Sequence, residues 1–180
     1  MHILKFDMEK PDALFHASPR RDLEELKPAK KSFRDRKEGS RVFASPDRDF
    51  VTSFMMSHVH PFESGYSNGI PWYAAEEDQF RKADIGGAVY HVPVETFTTD
   101  PNKGLGTKEW VSSETVAPIK KDIYESSLEA MIDHGVQVFL IDHLTMKALQ
   151  ASVIKADVLE VLQSVNQQRG KNVKEIKYIR

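Results

Sequence analysis

The sequence predicts an α+β fold, built as a short-stranded split sheet with flanking helices. Short apolar runs typical of strands alternate at irregular spacing with amphipathic stretches of helical period. A regular strand-helix-strand repeat and a Gly-rich turn from strand to helix, both expected of a doubly wound parallel sheet, are absent from the sequence. The 180 residues, 40% of them hydrophobic, can bury one sizeable core. We therefore predict a single domain over residues 1–180.

Short strands separated by polar segments are predicted for the first third of the chain. The predicted elements are a strand at 13–17, at most one helical turn at 22–26, a strand at 41–44 and a helix over 45–56. Ser45 is the expected N-cap of that helix and Pro46 its first residue, because serine accepts from a free N–H and proline needs no donor there. Residues 28–40 have almost nothing to bury and are predicted to be a mobile loop.

The elements of the rest of the chain are predicted from its turn-forming residues and from the spacing of its apolar residues. The predictions are a loop at 58–72, a short helix at 76–82, a strand at 87–93, a second mobile loop at 98–108, two apolar segments (WVS and TVAPI), and a strand at 136–141. Tyr124, Leu128, Met131 and Ile132 form a helical stripe that ends at Gly135, a suitable left-handed cap. A stronger amphipathic helix follows at 158–165 and ends at Gly170.

Composition excludes several classes of protein. The formal net charge of −2 argues against a general polyanion binder, although the stretches 20–41 and 169–180 are locally basic. Because the chain has no cysteine, it forms no disulfide, cysteine metal site or thiol nucleophile. No apolar run approaches the length of a membrane span, and the first ten residues carry charges where a signal peptide is apolar. We expect a cytoplasmic protein with no membrane partner.

Common catalytic motifs are missing from the sequence. It contains no Walker loop, GxGxxG, GxSxG or HExxH pattern. His58 and His60 have the spacing of a metal pair on a strand, but they stand beside a proline in predicted loop and no third ligand has an identifying spacing. We therefore predict no metal site.

Three segments do resemble a known family. In order, LFHASPRRDLEELKP, VFASPDRDFVTSF and EWVSSETVAPI resemble the three sequence blocks of the ADP-ribosyltransferase fold, and most closely those of small bacterial rifampin-type transferases. The blocks cover about half of the chain. The resemblance implies one ADP-ribosyltransferase-like domain with NAD as co-substrate.

The resemblance also implies a set of NAD-binding residues. In the family, the first-block histidine hydrogen-bonds the ribose next to nicotinamide, and the matching residue is His16. Ala17 and Ser18 follow it and are small enough for a ligand to approach the backbone. The second-block aromatic, usually tyrosine, stacks on nicotinamide; here it is Phe43, which keeps the stacking face and lacks the hydroxyl. Ser45 closes that block.

A carboxylate stabilises the positive charge that develops on the ribose in transferring members of the family. Three residues are candidates. Glu114, in SSETVAP, resembles the Ser-x-Glu block; Glu109 opens an apolar strand after a Gly-containing loop, as in poly-ADP-ribose polymerases; Asp100 lies upstream, where rifampin-type relatives use an aspartate. We rank Glu114 ahead of Glu109 and place Asp100 third.

The function that this resemblance implies is NAD-dependent transfer of ADP-ribose, with cleavage of the nicotinamide–ribose bond. The acceptor, whether protein, nucleic acid or small molecule, is not readable from the sequence. Two alternatives stay open: an NAD-dependent RNA 2'-phosphotransferase, favoured by the basic stretch 20–41, and a non-catalytic interaction module that retains the fold, favoured by Phe43. The loops 28–40 and 98–108 are expected to cover the site.

Overall fold

The computed structural model describes residues 9–29, 37–152, 160–162 and 164, and the backbone of 174–176. The fold is mixed α and β, with small sheets and a few helices. The chain forms two compact units. The first comprises Met1–His16, Asp22–Arg48 and Val89–Asp122, and the second Ala17–Arg21, Asp49–Ala88 and Ile123–Arg180.

Ten strands and four α-helices have bounds in the described residues, apart from the helical residues 160–162 and 164. In chain order they are β1 Leu14–Ser18, β2 Val42–Ala44, α1 Arg48–Val51, β3 Phe62–Ser67, β4 Ile70–Glu76, α2 Glu77–Ala83, β5 Gly87–Val92, β6 Thr98–Thr99, β7 Trp110–Ser112, β8 Lys120–Tyr124, α3 Ser127–Asp133, β9 Gln137–Ile141, α4 His143–Ser152 and β10 Lys174–Ile176. Two 3-10 helices, Thr52–Met56 and Gly106–Lys108, complete the list. The strands form sheets of order β1-β5-β8, β10-β9-β4-β3 and β2-β7-β6.

The core of the second unit lies on both faces of the strand pair β4 and β9, which run parallel. Alternate residues of these strands, such as Tyr73 and Val138, pack with Phe80 of α2 and Met131 of α3. The residues between them pack in a second apolar cluster with Met146 and Leu149 of α4. Because both faces are covered, residues 138–141 of β9 are all apolar and buried, which agrees with the strand predicted at 136–141.

A β-hairpin occupies most of the segment 58–72 that was predicted to be loop. Strand β3 pairs with β4 in antiparallel register from Phe62↔Ala75 to Ser67↔Ile70. The two residues of the turn, Asn68 and Gly69, have φ of +50° and +77°. This is the geometry of a tight hairpin turn, for which Asn-Gly is the preferred sequence. The loop prediction was therefore wrong here.

One other prediction for the first third of the chain, a helix that starts at 45, was wrong, and the segment predicted to hold at most one helical turn holds none. Residues 22–26 form no helical turn; instead Leu26 makes an antiparallel bridge with Val116 and is buried. The helix predicted from 45 begins at Arg48 and tightens into a 3-10 turn at Thr52. Ser45 caps a local turn instead, since its Oγ accepts a 3.1 Å hydrogen bond from the Asp47 N–H.

Several predicted elements agree with the structure. The strands at 13–17, 41–44 and 87–93, the helix at 76–82 and the helix that ends before Gly135 are present within a residue or two, except that Tyr124 belongs to β8. Of the helix predicted at 158–165, residues 160–162 and 164 are helical, and the remainder lies outside the described residues together with Gly170. No helix in the described part of the chain has the length and apolar character needed to cross a bilayer.

Candidate functional site

His16 lies in β1, where that strand meets the end of β2 in the first unit. Phe15 and Ser45 exchange two backbone hydrogen bonds, of 2.8 and 2.9 Å, and so hold the two strands together. The His16 Nδ1 lies 2.7 Å from the carbonyl oxygen of Phe43. A carbonyl only accepts, so Nδ1 carries the proton and Nε2 keeps its lone pair. One backbone contact therefore fixes the tautomer of the imidazole.

Burial lowers the pKa of His16 below its usual value, and the hydrogen bond to the Phe43 carbonyl offsets only part of that effect. The ring is consequently neutral at pH 7. Its neighbour on β5 is Tyr90, with ring centroids 6.4 Å apart. Together these features present a neutral histidine whose Nε2 is a hydrogen-bond acceptor.

Phe43, Ser45 and Glu109 have their side chains on one side of the sheet formed by β2 and β7. Phe43 pairs with Val111, and side chains of directly paired residues share a face. Ser45 follows Phe43 by two residues, and Glu109 precedes Val111 by two in extended backbone (φ −121°, ψ 120°). Since side chains alternate along a strand, all three project to the same side, which is the side of Phe15, the partner of Ser45, and not that of His16. Phe43 is half-buried and Ser45 is buried.

Glu109 is a half-buried carboxylate held close to a loop backbone. A Cβ atom at Gly104, where φ is +53°, would lie 2.2 Å from Glu109 Oε1, so any larger residue there would displace the Glu109 side chain and would also have to adopt a left-handed backbone. The Thr99 hydroxyl is within hydrogen-bonding distance of the Glu109 carbonyl at 2.7 Å and the Gly106 carbonyl at 3.0 Å. The loop 98–108 thus fixes the backbone on either side of this carboxylate.

The other two candidate carboxylates have different surroundings. Asp100 Oδ1 accepts from the Asn102 N–H at 2.9 Å and the Asp100 carbonyl accepts from the Lys103 N–H, so this residue builds its own turn. Glu114 is exposed, and its backbone N–H donates to Ser112 Oγ at 3.1 Å. Of the three, only Glu109 lies at the end of β7 that is next to Ser45 and β1.

Ala17 and Ser18 follow His16 in the chain and belong to the second unit. Ala17 is buried, and Ser18 is half-buried with its Oγ accepting from the Arg20 N–H at 3.1 Å. Next to Ser18, Gly87 of β5 approaches so closely that a Cβ there would lie 2.4 Å from the Ser18 carbonyl oxygen. The end of β1 is therefore tightly packed against backbone.

One ion pair joins the two loops that were predicted to cover the site, since Lys103 contacts Glu38 at 2.5 Å. Lys108 forms a second ion pair, of 3.0 Å, with Asp47 in the segment between β2 and α1. Residues 30–36 of the first loop lie outside the described residues. The segment 98–108 is partly ordered, with two residues in β6 and a 3-10 turn before β7.

Sequence reasoning missed a charged cluster in the first unit. Asp122 Oδ2 accepts from His91 Nε2 at 2.7 Å and from Arg48 Nη2 at 2.9 Å, and the His91 ring meets Phe15 edge to face at 4.9 Å. Burial alone would raise the pKa of Asp122, but the hydrogen bond and charge of His91 and the charges of Arg48 and Lys120 outweigh it and lower the pKa. Phe15 and His16 alternate along β1, so this cluster lies on the opposite face from the His16 ring.

The described residues contain no group of three or more His, Asp or Glu side chains placed to hold a metal ion, and His58 and His60 are both exposed. Comparison of the chain with protein-family models, curated proteins and solved structures found no match.

Proposed function

We propose that this chain is an ADP-ribosyltransferase-like protein that binds NAD, cleaves the nicotinamide–ribose bond and passes ADP-ribose to an acceptor. The observation that carries the proposal is the state of His16: neutral, in the middle of β1, with the proton fixed on Nδ1 by the Phe43 carbonyl. A neutral imidazole with a free acceptor at Nε2 suits a ribose hydroxyl, which donates its proton to that nitrogen. A cationic imidazole has no acceptor to offer.

Phe43 is the stacking residue that the resemblance implies. It is half-buried, so part of its ring is open, and its own carbonyl is the group that fixes His16. The 2.7 Å hydrogen bond joins the His16 imidazole to the backbone carbonyl of Phe43 and fixes the imidazole beside β2. The Phe43 ring shares a face with Ser45, which pairs with Phe15, so the strand pairing directs that ring to the opposite face from the His16 ring. Loss of the tyrosine hydroxyl removes a hydrogen bond and leaves the stacking surface intact.

Glu109 is the carboxylate that its surroundings favour. It is half-buried, shares a face with Phe43 and Ser45, and lies at the end of β7 nearer to β1. A carboxylate partly removed from water stabilises a developing positive charge more strongly than an exposed one. The motif resemblance, in contrast, favours Glu114, which is exposed. The proposal therefore assigns the electrostatic role to Glu109 and keeps Glu114 and Asp100 as comparison positions.

Binding is tested by thermal unfolding with increasing NAD. A ligand that binds only the folded state raises the free energy of unfolding by about 2.7 kcal/mol at a hundredfold excess over Kd. The His16→Asn variant keeps a side-chain N–H at the position of Nδ1 and removes the acceptor at Nε2, so we expect it to unfold normally without NAD and to lose most of the NAD-induced shift. His58→Asn, at an exposed loop position, is the matched control and keeps the shift. Absence of any saturable NAD effect in the wild type favours an interaction module instead.

Catalysis is tested by nicotinamide release at saturating NAD. Glu109→Gln retains shape and loses charge, so turnover is expected to fall by roughly 10²-fold while NAD affinity changes little. Glu114→Gln and Asp100→Asn should release nicotinamide at rates near that of the wild type. If Glu114→Gln lost most of its nicotinamide release and Glu109→Gln kept the wild-type rate, the electrostatic role would belong to Glu114, and the proposed NAD-binding residues would be unchanged.

A further inference from the structure

A hydrogen-bonded relay of three side chains lies in the second unit. His134 Nδ1 is 2.8 Å from Asp49 Oδ1, and His134 Nε2 is 3.0 Å from the Tyr124 hydroxyl. The His134 side chain is 16% exposed, whereas that of Asp49 is 56% exposed, so the imidazole is the more buried of the two side chains. The Tyr124 and His134 rings meet edge to face with centroids 5.9 Å apart.

The chemistry of the three groups sets the direction of the relay. Asp49 is an acceptor when ionised, so His134 Nδ1 carries a proton and donates it to the carboxylate. In the neutral imidazole, Nε2 is then an acceptor and takes the hydroxyl hydrogen of Tyr124. This is the order nucleophile, base and orienting carboxylate that activates hydroxyl nucleophiles in acyl transfer, with a phenol in the place of the alcohol.

Each residue of the relay is held by a different part of the fold. Tyr124 ends β8, Asp49 is the second residue of α1, and His134 is the C-terminal cap of α3. The His134 backbone N–H donates to the carbonyl of Ala130. The next two N–H groups donate to the carbonyls of Ile132 and Met131, so the turn that carries His134 is itself hydrogen-bonded.

We propose that Tyr124 is a nucleophile that takes an acyl group from an ester, with His134 as its general base and Asp49 as the positioning residue. This activity is distinct from the proposed NAD reaction and uses none of its residues. Small-molecule esters with a good leaving group are the substrate class that fits, since a phenolate is a weak base and displaces only a comparably good leaving group.

The step balances without any additional reactant. The Tyr124 oxygen attacks the ester carbonyl carbon while its proton passes to His134 Nε2; the bond between the carbonyl carbon and the leaving oxygen then breaks. The leaving group takes the proton from His134, or it departs as an anion and His134 gives that proton to the solvent; either way the imidazole is neutral again. In the second half, water attacks the acyl-tyrosine, His134 accepts the proton of that water, and the Tyr124 oxygen regains a hydrogen. Nothing is oxidised or reduced.

The test uses the full chain and p-nitrophenyl acetate. Acetylation is followed residue by residue by tandem mass spectrometry, which separates Tyr124 from the neighbouring lysines 120 and 121. We expect acetyl-Tyr124 to form faster than acetyl-Tyr66, the matched control, because Tyr66 is also half-buried but contacts the Phe50 ring. Release of p-nitrophenolate should show a burst equal to the acetyl-Tyr124 formed.

Variants separate a catalytic relay from a structural one. His134→Gln is expected to slow acetylation of Tyr124 by roughly 10²-fold, the usual contribution of a general base, and to leave Tyr66 unchanged. Asp49→Asn should slow it roughly 10-fold or more. Added imidazole should restore the rate of His134→Ala, which a purely structural histidine would not allow. Tyr124→Phe should abolish the burst.

Unfolding curves of every variant are measured alongside, and Tyr66 acetylation reports on the fold inside each sample. Equal labelling of Tyr66 and Tyr124 in the wild type overturns the proposal. So does a His134→Gln protein that unfolds normally and acetylates Tyr124 at the wild-type rate. If both histidine variants unfold prematurely, the Asp49→Asn and Tyr124→Phe proteins decide the question, since an unchanged rate in Asp49→Asn or an unchanged burst in Tyr124→Phe also overturns it.

Discussion

At the scale of single residues, the protonation of His16 is set by two opposing effects. Burial destabilises the imidazolium, whereas the Phe43 carbonyl stabilises it, and burial is the larger effect. The pKa of His16 in the folded chain is therefore lower than in the unfolded chain, where it is about 6.5. Any group whose pKa changes on folding makes stability depend on pH.

The sign of that dependence follows directly. Above about pH 6.5 His16 is neutral in both states and contributes nothing; below it the unfolded chain binds a proton first, so the free energy of unfolding falls as the pH is lowered toward the folded pKa. We predict that His16→Asn loses less stability than the wild type between pH 7 and pH 5, measured by urea unfolding. His58→Asn, at an exposed position, should follow the wild type. Identical slopes for His16→Asn and the wild type would contradict a lowered pKa.

The sequence predicted part of the candidate site and none of the charged clusters. His16, Phe43 and the carboxylates stand in short local motifs, so a family resemblance is enough to single them out. The cluster of His91, Asp122 and Arg48 joins residues far apart in the chain and leaves no local pattern. Which carboxylate is partly enclosed also depends on the close approach of Gly104, a property of the folded loop.

At the scale of elements, Asp84 caps the start of α3. Its carboxylate accepts from the N–H groups of Ser127 and Leu128, from the Ser126 hydroxyl and from the Gly86 N–H. Burial alone would raise the pKa of Asp84, but these four hydrogen bonds together outweigh it and lower the pKa. The carboxylate thus satisfies helix N–H groups that have no partner within the helix.

We predict that Asp84→Ala lowers the free energy of unfolding by about 2 kcal/mol at pH 7, measured by urea unfolding. Ser126→Ala, which removes the N-cap hydroxyl that accepts from Glu129, should cost about 1 kcal/mol. Because the pKa of Asp84 is lowered in the folded state, its contribution is complete above about pH 4 and is lost as the pH falls through the folded pKa. A loss that is equally large well below that pH would argue against the carboxylate as the source.

A substitution in the turn between β3 and β4 measures the energetic cost of the left-handed backbone conformation without any steric contact. Gly69 has φ +77°, and a Cβ added there would meet no atom within 4 Å. We therefore predict that Gly69→Ala destabilises the protein by about 1 kcal/mol, entirely through the left-handed backbone. Circular dichroism during urea unfolding measures the change. An unchanged midpoint would mean that the turn adopts another geometry in solution.

The sequence predicted those elements in which the periodic spacing of apolar residues matches the residues that are buried in the fold. The apolar run of β9 and the stripe of α3 were found because each buries the residues that its period marks. The hairpin was missed because Pro, Gly, Ser and Asn in 58–72 outweighed a two-residue Asn-Gly turn. Strand β8 was missed because it lies at the edge of its sheet and begins with two exposed lysines. None of its residues is fully buried, so its sequence does not alternate between apolar and polar residues.

At the scale of the whole molecule, stability is expected to be greatest in the second unit around β4 and β9. Each of these strands has a partner on both edges, and both faces are covered by apolar side chains. We predict that amides of Tyr73, Ala74 and Leu140 exchange with solvent more slowly than those of β2 and β6. Hydrogen exchange followed by mass spectrometry measures this order. Faster exchange in β4 than in β2 would contradict it.

The chain passes repeatedly between the two units, since each is assembled from three separate segments. The first is complete only when Val89–Asp122 is present, and the second requires residues on both sides of that stretch. No single cut of the chain therefore releases either unit intact.

The parallel pairing of β4 with β9 has a consequence for the order in which the chain folds. The β3–β4 hairpin needs only its two-residue turn and can form within microseconds, but β9 reaches β4 only after the segment 77–136 has been made and closed into a loop. During synthesis, a hairpin with apolar side chains on its inner strand therefore stands with an unpaired edge until the ribosome has released β9. That nascent edge is the surface on which chaperones, or other copies of the same unfinished chain, would act.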